Sequence, residues 1–262
     1  MSRSWDAATK AAVEVGEAVA GMRTELAPLI RKDRLQAQRV ADNFAHDRLN
    51  ELLAAAYPGV AIISEEDAGH HESRPDAYWL LDPIDGTASW SSGHAGFVCQ
   101  LAFIEKEQVR FGVIHAPVLR MTWTAIADGG AHLNGMSMPL LSQRHAHGQN
   151  VTVVDNYPEP RGVCAEVMQH LGTTKYLESG SIGLKAALVA SGNADLFIKD
   201  VVVRDWDIAP AYVLINEVGG FVTLVHGIPY EFRGSYEKDL GIVFSREHAL
   251  GVEVSAWMAR DR

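Results

Sequence analysis

The N-terminal part of the chain has the hydrophobic periodicity of helices. Apolar side chains recur at alternating spacings of three and four residues at Trp5, Ala8, Ala12, Val15, Val19, Met22, Leu26 and Leu29. This spacing predicts one long amphipathic helix with Ser4 as its N-cap. Pro28 lies near its end, and the charged residues 31–34 predict an exposed turn. A second periodic segment over 41–52 predicts another helix.

Short apolar runs separated by turn residues then predict strands. They cover 60–63, 78–81, 97–104, 109–115 and 121–127, and glycine, proline and charged residues lie between them. Such closely spaced strands favour a largely antiparallel sheet with the two helices packed over it.

Beyond a polar break at 139–150 the pattern changes. Strands are predicted at 151–154, 175–177 and 194–198, and they alternate with helices at 163–171, 182–189 and 208–218. This alternation is typical of strands covered by helices in an α/β layer. We therefore predict an N-terminal α+β domain over 1–145 and a C-terminal α/β domain over 146–262.

Composition and charge narrow the possible partners. The 262 residues are 47% hydrophobic and 21% charged, and the net charge is −10. A chain of this charge repels phosphate backbones and anionic membrane surfaces, so neither nucleic acid nor a membrane is expected as a partner. Residues 1–12 lack the basic start and apolar stretch of a signal peptide, and no apolar run is long enough to span a bilayer. With only Cys99 and Cys164, expected to be buried thiols, the predicted location is the cytoplasm.

The most informative segment is a buried strand that ends in two carboxylates. Asp82 and Asp85 flank Pro83, which fixes φ and removes a hydrogen-bond donor, so the turn can hold both carboxylates near one cation. Gly86 allows close approach of an anion to the backbone. If Thr87 begins a helix, the N–H groups of Gly86 and Thr87 form a phosphate cradle.

Two further acidic groups lie at the ends of predicted elements. Glu65, Glu66 and Asp67 follow the first strand, and Asp205 and Asp207 open the last predicted helix. Taken singly, each group has an ordinary explanation as a turn, a solvated surface or a helix cap. Taken together they would repel one another unless hard cations lay between them, and oxygen ligands favour Mg²⁺ or Mn²⁺ over structural Zn²⁺.

Four ordered motifs resemble those of the inositol monophosphatase family, within the lithium-sensitive sugar-phosphatase superfamily. They lie at 57–66, 79–87, 130–135 and 206–220, and the likeness extends over about residues 32–246. The resemblance implies a layered αβαβα sandwich, α+β or α/β in class, of the inositol monophosphatase and fructose-1,6-bisphosphatase type. It also implies a Mg²⁺-dependent phosphomonoesterase and a homodimer.

The resemblance also assigns roles to the site residues. It implies that Glu65, Asp82 and the Ile84 carbonyl bind a first Mg²⁺, that Asp82, Asp85 and Asp207 bind a second, and that Glu65 touches a weaker third. Mn²⁺ is the expected substitute. Thr87, supported by Asp42, would orient the attacking water. Asp42 is the last acid of the family's Asp-x-Val-Thr-x-x-Asp segment, but residues 36–41 depart from it, in a region where the resemblance implies a mobile loop at 32–38.

The substrate stays open at this point. Residues 179–196 look more like the 3′(2′),5′-bisphosphate nucleotidase branch, where Lys185 would meet a second phosphate, although it also fits a solvated helix lysine. Asp200 has the spacing to Trp206 of the acid that binds substrate hydroxyls in inositol-cleaving members. Two alternatives are a histidinol-phosphate phosphatase and a weakly active regulatory binding protein of the same fold. No role is expected for the histidine pairs at 70–71 and at 145 and 147.

Overall fold

The computed structural model describes residues 4–67, 74–141 and 148–261. It opens on three helices, α1 (Asp6–Glu25), α2 (Ala27–Lys32) and α3 (Arg34–Ala56). The single long helix predicted for 5–29 was wrong, since it is interrupted at Leu26 and Pro28 lies in the first turn of α2, where its missing N–H costs no helical bond. Ser4 is not the N-cap. Trp5 holds that position, while the Ser4 hydroxyl accepts a 3.4 Å hydrogen bond from the Asp6 N–H.

The exposed turn predicted at 31–34 contains only one residue outside the helices. Asp33 is extended, and its carboxylate accepts a 3.0 Å hydrogen bond from the Gln36 N–H, which caps α3. Residues 34–38 therefore form the first turns of a 23-residue helix. Apart from Asp33, the loop that the family resemblance implied at 32–38 is helical in this chain.

The next segment forms a sheet of seven strands in the order β1 to β7. Their bounds are β1 (Ala61–Ser64), β2 (Ala77–Asp85), β3 (Val98–Glu105), β4 (Gln108–Ala116), β5 (Met121–Ile126), β6 (Gly130–Leu133) and β7 (Met136–Ser137), with α4 (Thr87–Ser92) between β2 and β3. Only β1 and β2 pair in parallel, so the prediction of a largely antiparallel sheet is confirmed. Strands β6 and β7 were not predicted. They flank a tight turn at Asn134 and Gly135, whose φ angles are 50° and 78°.

The last segment builds a five-stranded sheet in the order β12-β14-β10-β8-β9. Its elements are β8 (Thr152–Asp155), α5 (Gly162–Leu171), β9 (Lys175–Glu178), α6 (Ile182–Ala190), β10 (Leu196–Lys199), α7 (Asp205–Glu217), β12 (Phe221–Thr223), β14 (Ile242–Ser245) and α8 (His248–Asp261). A separate two-stranded ribbon pairs β11 (Val203–Arg204) with β13 (Glu237–Lys238). The predicted βα alternation is confirmed up to α7, and the elements after it were not predicted.

The elements stack in five layers, which confirms the αβαβα fold. Helices α1 and α3 cover one face of the first sheet, α6 and α7 lie between the sheets, and α5 and α8 cover the far face of the second sheet. The core between the sheets joins side chains from both halves, among them Trp123 and Phe197. The predicted boundary between 145 and 146 lies outside the described residues, and the two-domain division stays a prediction.

Three smaller expectations concern single residues and segments. Cys99 and Cys164 are both buried and unpaired, as predicted. None of the described helices is long and apolar enough to cross a membrane. The histidine pairs at 70–71 and at 145 and 147 lie outside the described residues.

Candidate metal and phosphate site

Strand β2 delivers the first carboxylate to the interior of the molecule. Asp82 is buried, and one of its oxygens accepts a 3.1 Å hydrogen bond from the Ile84 N–H. Because Pro83 cannot donate to the ladder, the pairing of β2 with β3 becomes irregular between Asp82 and Asp85. The irregularity lies just before Gly86, where the chain leaves the sheet and enters α4.

Two other elements bring carboxylates to Asp82. Glu65 follows β1, and its N–H donates to the Leu81 carbonyl at 3.1 Å, which ties it to the neighbouring strand. Asp207 lies in the first turn of α7, where its carboxylate accepts from the Arg204 N–H at 3.3 Å. Ligand oxygens of Glu65, Asp82 and Asp207 all lie within 4.8 Å of one another. The structure thus joins three acids that are far apart in sequence.

This cluster is electrostatically unstable by itself. Burial and repulsion among the acids raise the pKa of Asp82 and of Asp207 well above the ordinary value, and burial followed by repulsion from Glu66 and Asp85 raises the pKa of Glu65 to about 7. Oxygen donors held this close suit a hard divalent cation, which removes the repulsion. The residues present therefore fit Mg²⁺ or Mn²⁺.

Asp85 lies beside these three acids and is held by several hydrogen bonds. It is buried but does not belong to the group of three, and its oxygens accept hydrogen bonds from Gly183 N at 2.6 Å, Ile182 N at 3.2 Å and Gln100 Nε2 at 3.3 Å. A Cβ on Gly183 would lie 2.1 Å from the Gln100 amide oxygen, so a larger residue here would displace the Gln100 side chain from Asp85. Asp85 joins the N-terminus of α6 to the sheet, and its charge raises the pKa of all three clustered acids.

The expected phosphate cradle begins at Gly86. Gly86 has φ 93°, a conformation that favours glycine, and it caps α4, which starts at Thr87 and so meets the condition for the cradle. The Thr87 hydroxyl donates a 3.1 Å hydrogen bond to the Ile84 carbonyl. Thr87 and Ile84, assigned different roles by the resemblance, are therefore in direct contact.

Helix α3 supplies Asp42 and a residue that the sequence did not reveal. One carboxylate oxygen of Asp42 is buried and accepts no hydrogen bond from any described residue, and burial followed by repulsion from Glu66 and Glu65 raises the pKa of Asp42 to about 7. One turn earlier, the Gln38 amide donates to the Thr87 carbonyl at 3.3 Å and to the Ser91 hydroxyl at 2.8 Å. Gln38 belongs to the segment that departs from the family pattern, and it joins α3 to α4.

Asp205 belongs to a separate network. It is fully buried, it forms an ion pair with Arg74, its carboxylate lies 3.8 Å from the Lys238 ammonium, and it accepts a 2.6 Å hydrogen bond from the Tyr230 hydroxyl. The acidic group that opens α7 is thus divided, because Asp207 joins the carboxylate cluster and Asp205 pairs with side chains of the protein.

A cavity of about 380 Å³ adjoins the site. Asp85, Gly86 and Lys185 line it, together with Asn156 and Lys199. Burial, followed by repulsion from Lys199, lowers the pKa of Lys185 to about 8. The structure does not bring Asp200 here, since Asp200 is exposed and lines a different cavity beside Tyr157 and Arg161.

Known proteins share both sequence and fold with this chain. The sequence profile described as the inositol monophosphatase family matches residues 2–254. The chain belongs to the inositol monophosphatase family. The family is one of phosphatases, and the chain resembles several of its characterised members at modest identity.

Three relatives and structures illustrate the range. The chain is 34% identical over 182 residues to a fructose-1,6-bisphosphatase/inositol-1-monophosphatase of Thermotoga maritima. The aligned residues cover 70% of this chain and 69% of the relative. It is 29% identical over 187 residues to a 3′(2′),5′-bisphosphate nucleotidase CysQ of Aggregatibacter actinomycetemcomitans, covering 70% of each. The crystal structure of inositol monophosphatase II from Staphylococcus aureus superposes with a TM-score of 0.80 over 98% of this chain and 95% of that one, at 19% identity, and so shares the fold.

Proposed function

We propose that this protein is a Mg²⁺-dependent phosphomonoesterase that hydrolyses a small phosphate ester. The observation that carries the proposal is the convergence of Glu65, Asp82 and Asp207, whose ligand oxygens lie within 4.8 Å of one another. These three would hold the cation nearest Asp82, with the Ile84 carbonyl beside them and Asp85 toward a second position. When bound, divalent cations supply the positive charge that a phosphate dianion requires and lower the pKa of a neighbouring water molecule.

The remaining residues of the proposed site act on water and phosphate. The Thr87 hydroxyl donates a hydrogen bond to the Ile84 carbonyl, so its oxygen is available to accept a hydrogen bond from water. Asp42 has a buried carboxylate oxygen that accepts no hydrogen bond from any described residue, and this oxygen can also accept a hydrogen bond from water. We assign Asp42 and Thr87 to orienting the attacking water, with Glu65 beside them, and the N–H groups of Gly86 and Thr87 to the phosphate oxygens.

The substrate candidates are those of the relatives. One relative, from Bacillus subtilis and 30% identical, is named inositol-1-monophosphatase, and the CysQ relatives are named 3′(2′),5′-bisphosphate nucleotidases. Inositol monophosphate and 3′-phosphoadenosine 5′-phosphate are therefore the first candidates. Other relatives are named Nus factor SuhB, 27% identical in Pasteurella multocida, which corresponds to the regulatory alternative. The converged carboxylates favour the enzyme, because a binding protein has no need of buried acids that repel one another. Histidinol phosphate is a further ester to test, because a histidinol-phosphate phosphatase is one of the alternatives.

Phosphate release tests the proposal directly. We expect the purified protein to release phosphate from at least one of these esters with Mg²⁺ or Mn²⁺ and not with EDTA. Asp82→Asn removes one charge at constant size and should lower turnover by about 10³-fold or more. Asp47→Asn, at an exposed acid of α3 with no role in the site, is the matched control. Turnover by Asp82→Asn equal to that of the unmodified protein would overturn the proposal. Sedimentation of the same samples would test the predicted homodimer.

A further inference from the structure

Helix α4 begins with the residue assigned to phosphate and water, yet it is too short to hold its own position. It has six residues, from Thr87 to Ser92. A helix of this length is not stable in isolation, so contacts with other elements must hold it. Trp90 is fully buried, and its indole N–H donates to the Val19 carbonyl of α1 at 2.8 Å. This contact fixes the later residues of α4 on α1, whereas Thr87 lies at the other end.

Gln38 of α3 supplies the contact at the Thr87 end of α4. Its amide nitrogen has two N–H groups, and it donates to the Thr87 carbonyl at 3.3 Å and to the Ser91 hydroxyl at 2.8 Å. Ser91 is buried and in turn donates to the Ala88 carbonyl at 3.2 Å. Among the side chains that the structure describes, no other one from outside α4 forms a hydrogen bond with Thr87. Gln38 is therefore the hydrogen-bonded link between α3 and the first turn of α4.

The same face of α3 carries Asp42. Gln38 and Asp42 are four residues apart in one helix, so they are neighbours on its surface, separated by a rise of about 6 Å. Asp42 and Thr87 are the two residues that we assign to orienting the attacking water. Because Gln38 joins the helix of one to the helix of the other, it helps to set the distance between them.

Gln38 also lies where this chain departs from the family pattern. In the Asp-x-Val-Thr-x-x-Asp segment that ends at Asp42, valine is the residue expected at position 38, and a valine side chain has no hydrogen-bond donor. Helix α3 of this chain begins at Arg34, so residue 38 is helical and its amide reaches α4. The hydrogen-bonded link thus depends on two features of this chain, the early start of α3 and the glutamine.

We propose that Gln38 is a positioning residue for the attacking water. By fixing the first turn of α4 on α3, it holds the Thr87 hydroxyl at the distance from Asp42 at which both side chains bind one water molecule. This inference rests on the proposed phosphomonoesterase function. Gln38 contacts none of the clustered carboxylates, so its loss should lower turnover more than it weakens substrate binding.

Gln38→Met removes both hydrogen bonds at nearly constant size and helix propensity. We expect kcat with Mg²⁺ to fall by about tenfold or more, because small displacements of groups around the reacting atoms are costly, and KM to stay within about threefold of the unmodified value. The melting temperature should fall by about 2–4 °C for each lost hydrogen bond, so the variant stays folded in the assay. Gln36→Met, at an exposed glutamine two residues earlier in α3, is the matched control and should keep the unmodified kcat.

Ser91→Ala separates the two hydrogen bonds. It removes the acceptor of the 2.8 Å bond and leaves the Thr87 carbonyl in place. We expect a smaller fall in kcat than in Gln38→Met. The double variant should be no slower than Gln38→Met by more than about twofold, since both changes act on one contact and their effects are not additive.

A kcat of Gln38→Met equal to that of Gln36→Met would overturn the inference, and so would a fall in kcat fully accounted for by loss of folded protein. If the unmodified protein hydrolyses no ester, the proposed function fails, and amide hydrogen exchange then decides the contact separately. Amides of residues 88–92 should exchange about fivefold faster in Gln38→Met than in the unmodified protein, the factor that one hydrogen bond contributes. Equal exchange rates would refute the role of Gln38 in holding α4.

Discussion

Two acidic residues in the first turn of α7 have opposite surroundings. Asp205 meets Arg74, Lys238 and the Tyr230 hydroxyl, and the protein itself neutralises its charge. Asp207, two residues later, meets chiefly other carboxylates. The basic side chain closest to it in sequence, Arg204, donates to the partly exposed Glu237 at 2.9 Å.

The comparison separates a structural acid from a site for an external cation. In the Asp205 network the acidic and basic side chains neutralise one another. Removing one partner leaves the others buried and unpaired. In the Asp207 cluster the carboxylates are not balanced by basic side chains. The fold therefore tolerates a repulsion that a divalent ion would remove on binding. Loss of an acid should therefore have opposite consequences for stability in the two places.

Asp207→Asn should have the largest effect, and it should fall on turnover. We expect phosphate release to drop by about 10³-fold, since the site loses a charged ligand. The cation-free protein should not lose stability, because one repelling charge has gone and the amide oxygen of the new side chain can still accept from the Arg204 N–H. Steady-state kinetics and urea unfolding in EDTA check both parts. Turnover within tenfold of the unmodified protein would argue against Asp207 as a ligand.

Asp205→Asn should have the opposite effect to Asp207→Asn, because it should lower stability and leave the turnover of the folded protein unchanged. It leaves Arg74 and Lys238 without their buried countercharge, and we expect the free energy of unfolding to fall by about 3 kcal/mol. Any loss of turnover should follow the loss of folded protein. Urea unfolding with Asp207→Asn measured in parallel makes the comparison. A stability change under about 0.5 kcal/mol, the size typical of surface substitutions, would contradict the closed network.

The response to Mg²⁺ should depend on pH. The pKa values of Glu65 and Asp42 are raised to about 7, whereas unfolded acids lose their protons near pH 4. Between these limits the native state holds more protons, so the stability of the cation-free protein falls as pH rises.

Cations bind the deprotonated form, so Mg²⁺ at one hundred times its Kd should stabilise the protein by about 2.7 kcal/mol at pH 8. Stabilisation at the same concentration should be smaller at pH 5.5. Thermal unfolding at both pH values, with Asp82→Asn as control, measures this. An equal gain at the two pH values would contradict the electrostatic account.

The sequence predicted the acids of the site because local signals mark them. Asp82 follows an apolar strand and precedes proline, and Glu65 and Asp207 also lie at the ends of predicted elements. The division between Asp205 and Asp207 was beyond sequence reasoning, since the partner Arg74 is 131 residues away and the two acids share one helical turn.

Two other residues were missed for comparable reasons. Spacing to Trp206 pointed to Asp200, but β10 ends at Lys199, and Lys199 lines the site cavity while Asp200 is exposed beyond the strand. Gln38 looked like a loss from a family motif, and only the packing of α3 against α4 reveals its hydrogen bonds to Thr87 and Ser91. Side-chain partners set by tertiary packing leave no periodic trace in the sequence.

The most direct test is a crystal structure of the protein grown with Mn²⁺ and measured at a wavelength where manganese scatters anomalously. We predict an anomalous peak about 2.1 Å from carboxylate oxygens of Glu65, Asp82 and Asp207 together. Anomalous density located elsewhere, with these three carboxylates binding no cation in crystals of protein that releases phosphate, would contradict the account.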